Sequence, residues 1–293
     1  MSGGMNVLIF VPLHPRHGIR RRALAALDAL DVTGHSVHVH FNAEPAGNRD
    51  PFDVITAQYQ QARSMALAGH YDAMLTVEYD NIVPPDALQR LAAVDADVAY
   101  GLYCNRRVPH GWLAMIEITW AHGVSYGRNE PTARAAWGNV VESQGVGFGC
   151  TLIHRRVLEQ IPMRREAGHP CANDWFFAMD CRSAGLRQAH DCGCVVGHIL
   201  SNNYSVVWPD ASVWPPYRIE VDDMLKAKAI QASTGQQAYI CNDCIYYEPD
   251  NAYYQPGERI VLEPEQAQPL VDSGALTPEN EVKPPADVPA QEK

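Results

Sequence analysis

The 293-residue sequence predicts an α/β fold: a mainly parallel central sheet flanked by helices, followed by a small C-terminal extension. Three observations predict it. Short apolar runs alternate with helix-like stretches through the first hundred residues. Gly and Pro punctuate the boundaries between them. An acidic run, Glu78-Tyr79-Asp80, closes one of the apolar runs, and α/β sheets gather their ligands at the carboxyl ends of strands.

The elements follow in order. Asn6 to Leu13 (NVLIFVPL) is a continuous apolar run, as expected of a strand buried on both faces. Arg20 to Leu30 has helical propensity and ends near Gly34. Ser36 to Phe41 (SVHVHF) alternates and is rich in β-formers. Pro51 to Gly69 forms a second helix, and Ala73 to Val77 a third strand. Pro84-Pro85-Asp86 opens a helix through Ala93, with prolines where a first turn tolerates them. Asp97 to Tyr103 is a fourth strand. Arg106 to Val141, with Trp112, Trp120 and Trp137, has no regular period and marks a substrate-facing insertion. Gly145 to Pro162 comprises a Gly-rich turn, a strand and a helix. Asp174 to Ala184 is helical and closed by Gly185, and Cys194 to Ile199 is a short strand carrying His198. Residues 1–204 therefore form the main domain. Beyond it, Val206 to Tyr217 is expected as a Pro-rich surface loop, Ile219 to Ala232 as a helix, and Tyr239 to Leu262 as a β-prone module, together an extension over 205–276. From Thr277 the chain is Pro, Glu, Ala and Lys, and 277–293 is expected to be disordered.

Composition narrows the function classes. A hydrophobic content of 46% supports a real core. The formal charge of -11 disfavours general binding to nucleic-acid backbones. The N-terminus lacks the basic region and cleavage site of a secretory signal, and no run approaches the roughly 20 apolar residues of a membrane span. These features predict a soluble, cytoplasmic protein. Eight cysteines in a chain of this size are not a dense disulfide pattern, so reduced thiols are expected. Cys241 and Cys244 have half a zinc-ribbon spacing without a second half at ribbon distance; Cys192 and Cys194 could complete it only if the fold brought them together.

The motif order resembles that of glycosyltransferase family 2 enzymes of the GT-A, Rossmann-like type, over roughly Asn6 to Ile199. LTVEYDNIVPPDAL resembles the acidic metal signature of that family. Ala62-Arg63-Ser64 is similar to an "ARN" run on the preceding helix, with Ser64 in place of Asn. GVGFGCTLIHRRVLEQI resembles the Gly-rich strand and helix that follow. Asn173-Asp174-Trp175-Phe176-Phe177 resembles an "ED" motif, with Asn173 in place of Glu, and the stretch from Ala184-Gly185 through Asp191 to His198 resembles the closing motif.

The resemblance implies a nucleotide-diphosphate sugar donor, a hydroxyl acceptor of unstated identity and a divalent cation, Mn²⁺ or Mg²⁺. Such a cation would neutralise the charge that develops on a diphosphate leaving group. Asp80 is the candidate metal ligand on chemical grounds, because hard cations prefer carboxylate oxygen. The resemblance adds His198 as its partner. Glu78 shares the face of Asp80 by strand alternation and is assigned to ribose or metal-bound water. Pro12, Arg63, Glu78, Tyr79 and Gly147 form the expected donor-binding set. Asp174 is the candidate general base, and equally the N-cap of the helix that follows. Gly145, Gly147 and Gly149 allow close backbone approach to a sugar or mark a turn of unusual angles. Trp208, Trp214 and Tyr217 form an aromatic lid or pack a crossover. Nucleotidyl transfer is the alternative enzymatic reading, and a non-catalytic nucleotide- or carbohydrate-binding protein the alternative from another class.

Overall fold

A computed structural model describes residues 4–13, 18–43, 50–107, 110–114, 118–121, 124–127, 134–145, 147–166, 169, 171–201, 203–225, 237–243, 245–247, 252–254, 256 and 258–281. The chain divides into two compact units, one of residues 1–200 and 205–220, the other of 201–204 and 221–293.

The first unit is built on β1 (Asn6–Leu13), α1 (Arg21–Asp28), β2 (Ser36–Ala43), α2 (Pro51–Ala68), β3 (Ala73–Val77), β4 (Asn81–Ile82), α3 (Ala87–Ala92) and β5 (Val98–Leu102). It continues through β6 (Ile118–Ala121), β7 (Val124–Gly127), β8 (Val140–Ser143), β9 (Cys150–His154), α4 (Arg155–Gln160), α5 (Asn173–Ser183), β10 (Gln188–Val195), β11 (Gly197–Ile199), β12 (Ser205–Pro209) and β13 (Tyr217–Val221). Seven strands form the central sheet in the order β2-β1-β3-β9-β5-β10-β8. β1 pairs in parallel with β2 and β3, and β5 with β10. β9 runs antiparallel between β3 and β5, and β8 antiparallel at the edge beside β10. Five of the seven strands thus share one direction, so the sheet is mainly parallel as expected, with the direction of β9 the feature the sequence does not announce.

The apolar strands divide their side chains between two cores by their period of two. Val7, Ile9 and Val11 of β1 face Leu27 of α1 and Leu88 and Leu91 of α3. Leu8 and Phe10 face Tyr59, Ala62 and Ala66 of α2, Leu158 of α4 and Phe177 of α5. Strand β2 is an edge, and its polar alternation (His38, His40) suits a strand with one open side. Because β1 is flanked by β2 on one side and β3 on the other, the chain reverses its order there. The carboxyl ends of β1 and β3 therefore bound the crevice in which α/β sheets hold ligands.

Three expectations change. The Arg106–Val141 stretch is more regular than its sequence pattern, containing β6, β7 and β8. The loop expected at Val206–Tyr217 holds β12, which joins β11, β4 and β13 in a second sheet. The expected helix from Ile219 instead begins as strand: Tyr217–Val221 is β13, and its β-branched Ile219 and Val221 suit that state. Residues 226–236 of that stretch lie outside the described residues.

The second unit is small. β14 (Gln237–Cys241) lies between β17 (Arg259–Leu262) and β18 (Leu276–Pro278), antiparallel to both, and the antiparallel pair β15 (Ile245–Tyr247) and β16 (Ala252–Tyr254) falls between β14 and β17 in the sequence. α6 (Pro264–Asp272) starts on a proline, which costs nothing where the N–H has no helical partner. Tyr239, Cys241, Ile260, Leu262, Ala267 and Leu276 form its core. The disorder expected from Thr277 is corrected at its start: Thr277 and Pro278 pair with β14, and a turn of 3₁₀ helix follows over Glu279–Glu281. Residues 282–293 lie outside the described residues. Among the described residues, Cys150, Cys171, Cys181, Cys192 and Cys194 are free thiols, and Cys244 lies outside the described residues. No described helix is long and apolar enough to cross a membrane.

Candidate active site

The acidic run follows β3 directly and is pinned by its backbone. The Glu78 N–H donates to the Gly149 carbonyl (3.1 Å), the Arg20 N–H to the Tyr79 carbonyl (3.0 Å) and the Ile199 N–H to the Asp80 carbonyl (2.8 Å). β4 and β11 then pair so that Asn81 opposes His198. This register brings two residues 118 positions apart in sequence, Asp80 and His198, to one point. The Nε2 atom of His198 lies 3.5 Å from Asp80 Oδ2. Both side chains are buried.

The other ring nitrogen fixes what His198 can do. Nδ1 lies 2.8 Å from the Cys104 carbonyl oxygen. A carbonyl can only accept, so Nδ1 carries the proton and neutral His198 presents its Nε2 lone pair to Asp80. Two ligands at about 2.1 Å from one ion, at right angles, sit about 3 Å apart. The observed pair is within a small side-chain adjustment of that; its carboxylate suits Mn²⁺ or Mg²⁺, and of the two Mn²⁺ is the one that also accepts imidazole. Among the described residues no cluster of three or more His, Cys, Asp and Glu side chains could hold a metal. The chain thus offers two ligands here, and water or substrate oxygens would supply the rest, as Mg²⁺-type sites commonly require.

Arg106, which the sequence reading did not single out, completes the arrangement. Its Nη1 lies 2.9 Å from Asp80 Oδ2 and 3.4 Å from the Tyr79 hydroxyl. The Arg20 guanidinium carbon sits 5.9 Å from the centre of the Tyr79 ring. The available signal for Arg106 was slight: a basic residue four positions beyond a strand that ends on the ligand side of the sheet.

Charge at the site is strongly coupled. Burial raises the Glu78 carboxyl, the negative charges of Asp80 and Asp174 add to the rise, and the pKa reaches about 7 against the pull of His198 and Arg106. Burial works the same way on Asp80, but the facing His198 and Arg106 outweigh it and hold this carboxyl below its ordinary value. For His198 burial favours the neutral ring, and Asp80 overcomes it to raise the pKa. Asp174 is raised by burial, against the hydrogen bond its Oδ1 accepts from the Trp175 N–H at 2.8 Å. It lies in the first turn of α5, whose N-cap is Ala172. A carboxylate there meets the positive end of the helix.

The remaining expected residues divide. Pro12 is buried in β1 opposite Asn42 of β2, at the carboxyl end that bounds the crevice. Gly147 has φ +101°, and an added Cβ would strike the Tyr103 hydroxyl. Its smallness thus makes room for Tyr103, whose hydroxyl accepts from the Gly149 N–H and whose ring meets the His198 ring in a T-shaped contact. Arg63 braces the helix that follows β9: its Nε donates to the carbonyls of Leu158 (2.6 Å) and Ile161 (3.0 Å) at the end of α4. Trp214 is 79% exposed with Arg134 over its ring, whereas Arg218 covers Trp208.

No protein-family model matches the chain, and no curated protein matches it. Solved structures do. The A197 protein from STIV is 18% identical with a TM-score of 0.50, the match covering 74% of this chain and 94% of that one. This likeness concerns the fold. Looser similarity extends to two glycosyltransferases. One is the catalytic domain of Drosophila β1,4-galactosyltransferase 7 in complex with xylobiose (14% identity, TM-score 0.40, 64% of this chain and 65% of that one). The other is GalNAc-T7 with UDP, GalNAc and Mn²⁺ (11% identity, TM-score 0.45, 70% of this chain and 47% of that one).

Proposed function

We propose that the protein is a GT-A-type glycosyltransferase that moves a sugar from a nucleotide-diphosphate donor to a hydroxyl acceptor, with a divalent cation, Mn²⁺ or Mg²⁺, at Asp80 and His198. The observation that carries this reading is the Asp80–His198 pair itself. A buried carboxylate faces an imidazole whose other nitrogen is tied to a carbonyl, at the end of a strand bordering the crevice. Such a carbonyl bond orients a ligating histidine and keeps its free nitrogen basic.

A bound cation would supply charge where the diphosphate leaving oxygen becomes negative. The chain's own residues do the rest. Arg106 and Arg20 bring positive charge beside Tyr79, on the donor side of the site. Asp174 takes the proton from the acceptor hydroxyl as its oxygen bonds to the anomeric carbon and the bond from that carbon to the diphosphate breaks. A carboxyl raised by burial is better matched to that task than an exposed one. Glu78 stands next to Asp80 as a second carboxyl that holds its proton up to about pH 7, suited to a ribose or sugar hydroxyl.

The test is a panel of nucleotide sugars with Mn²⁺, read by release of nucleoside diphosphate and by transfer to added hydroxyl acceptors. Asp174→Asn is expected to abolish transfer, a loss of about 10²-fold or more, while donor binding stays within twofold. Full transfer by that variant removes the base assignment. Pyrophosphate formed from a nucleoside triphosphate and a sugar phosphate would instead establish nucleotidyl transfer.

A further inference from the structure

The oxygen that an incoming cation would need already has a cation on it. Asp80 Oδ2 is the atom that faces His198 Nε2 at 3.5 Å, and it is also the atom that accepts from Arg106 Nη1 at 2.9 Å. The two residues are held very differently. Asp80 is 5% exposed at its side chain and tied by its backbone to β11. Arg106 is 35% exposed at its side chain and lies beyond the end of β5, with its second contact a long one to the Tyr79 hydroxyl. The carboxylate is fixed, whereas the guanidinium is partly open to solvent. A buried, anionic Asp80 without a counter-charge would be costly, and Arg106 removes that cost. A divalent ion bound to Oδ2 would sit within a few ångströms of Nη1, where two positive charges repel strongly in a partly buried site. Ion and guanidinium therefore exclude one another.

We propose that Arg106 is a displaceable resident cation: it neutralises Asp80 until a divalent ion enters, and it must swing off Oδ2 for the ion to be ligated. The ion's apparent affinity is thereby weakened by the work of breaking a charge-assisted pair. This rests on the reading of Asp80 as a metal ligand, and the experiment separates the two.

Mn²⁺ alone is titrated into the full-length protein and followed by the paramagnetic resonance of the free ion. The variants are Arg106→Met, Arg106→Gln and each of these combined with Asp80→Asn. Thermal unfolding of every variant reports that it is folded; Arg106→Gln retains a hydrogen-bond donor for Asp80 should Arg106→Met unfold. The expected result is about tenfold or greater tightening of Mn²⁺ in both single variants, the size set by losing one charged hydrogen bond. Adding Asp80→Asn should abolish it. Unchanged or weaker binding in both single variants, still lost with Asp80→Asn, overturns the role of Arg106 and leaves the ligand assignment standing. No Mn²⁺ binding to the wild type or to either single variant, or binding that survives Asp80→Asn, overturns both.

Discussion

His198 owes its usefulness to the company it keeps. The Cys104 carbonyl fixes its tautomer, the Tyr103 ring meets it in a T-shaped contact, and β4–β11 pairing sets its height against Asp80. Gly147 enters this chain of contacts indirectly, because its missing Cβ is the space occupied by the Tyr103 hydroxyl. Two constraints coincide there: a left-handed backbone, which a side chain tolerates poorly, and a clash with a buried ring. Gly147→Ala is expected to cost about 1–3 kcal/mol of stability, measured by urea unfolding. Mn²⁺ binding should weaken with it, since Tyr103, whose ring packs on His198, would be displaced. A variant as stable as the wild type would show that the backbone relaxes locally. Asp80 was legible as chemistry, a carboxylate at the end of a strand, whereas His198 was singled out only through the family resemblance. It could not make Arg106 legible, because nothing local distinguishes that arginine from Arg107, which follows it in the sequence.

At the scale of elements, legibility tracked apolar patterning. β1, β3 and β5 carry uninterrupted apolar runs and were evident, as were α2 and α5. β10 was not evident before Cys194, although it lies inside the sheet. Its buried positions include Gln188, His190 and Asp191, which look like loop residues when read alone. Each is buried at the cost of a partner that only the fold supplies. Gln188 accepts from the Tyr100 hydroxyl and donates to the Ala178 carbonyl. Asp191 takes a two-pronged bond from Arg90 of α3. The antiparallel β9 was recognised as a strand, but its direction depends on pairings with β3 and β5 that periodicity does not encode. Arg63 shows the same limit from the other side: a helical arginine near a ligand-binding motif looks available, yet α4 has claimed it. Arg63→Met should therefore lower stability by about 1–3 kcal/mol, two carbonyls losing a charged donor, with binding of nucleotide unchanged. Chemical unfolding and a binding titration on the same preparation check it; a binding loss with undiminished stability would return Arg63 to the donor site.

For the whole molecule, the buried polar layer under β10 makes acid stability a property of the first unit's core. His190 is completely buried, stacked on Tyr100 with ring centres 4.9 Å apart. Its Nε2–H donates to the Leu113 carbonyl and its Nδ1 faces the Ser143 hydroxyl at 2.9 Å, so the neutral ring is fully satisfied. Burial pushes its pKa down to about 4, against the opposing Leu113 hydrogen bond. The unfolded chain therefore binds a proton at His190 that the folded chain refuses. The stability this histidine supplies is complete above its unfolded value near 6.5 and is lost as pH falls from there toward 4, reaching about 3 kcal/mol. Glu78 titrates with the opposite sign: its raised pKa makes the fold gain stability as pH falls from about 7 to 4.5. The wild-type profile sums these two with the shifts of Asp80, Asp174 and His198. The informative quantity is the difference between the wild type and His190→Gln, in which Glu78 cancels. Glutamine keeps a donor for Leu113 and has no charge to gain. Urea unfolding at several pH values between 7.5 and 4.5 should show this difference shifting in favour of the variant as pH falls, by about 1.4 kcal/mol per unit at the steepest point. A pH-independent difference would mean that His190 can take its proton inside the fold, with Ser143 turning its oxygen to accept.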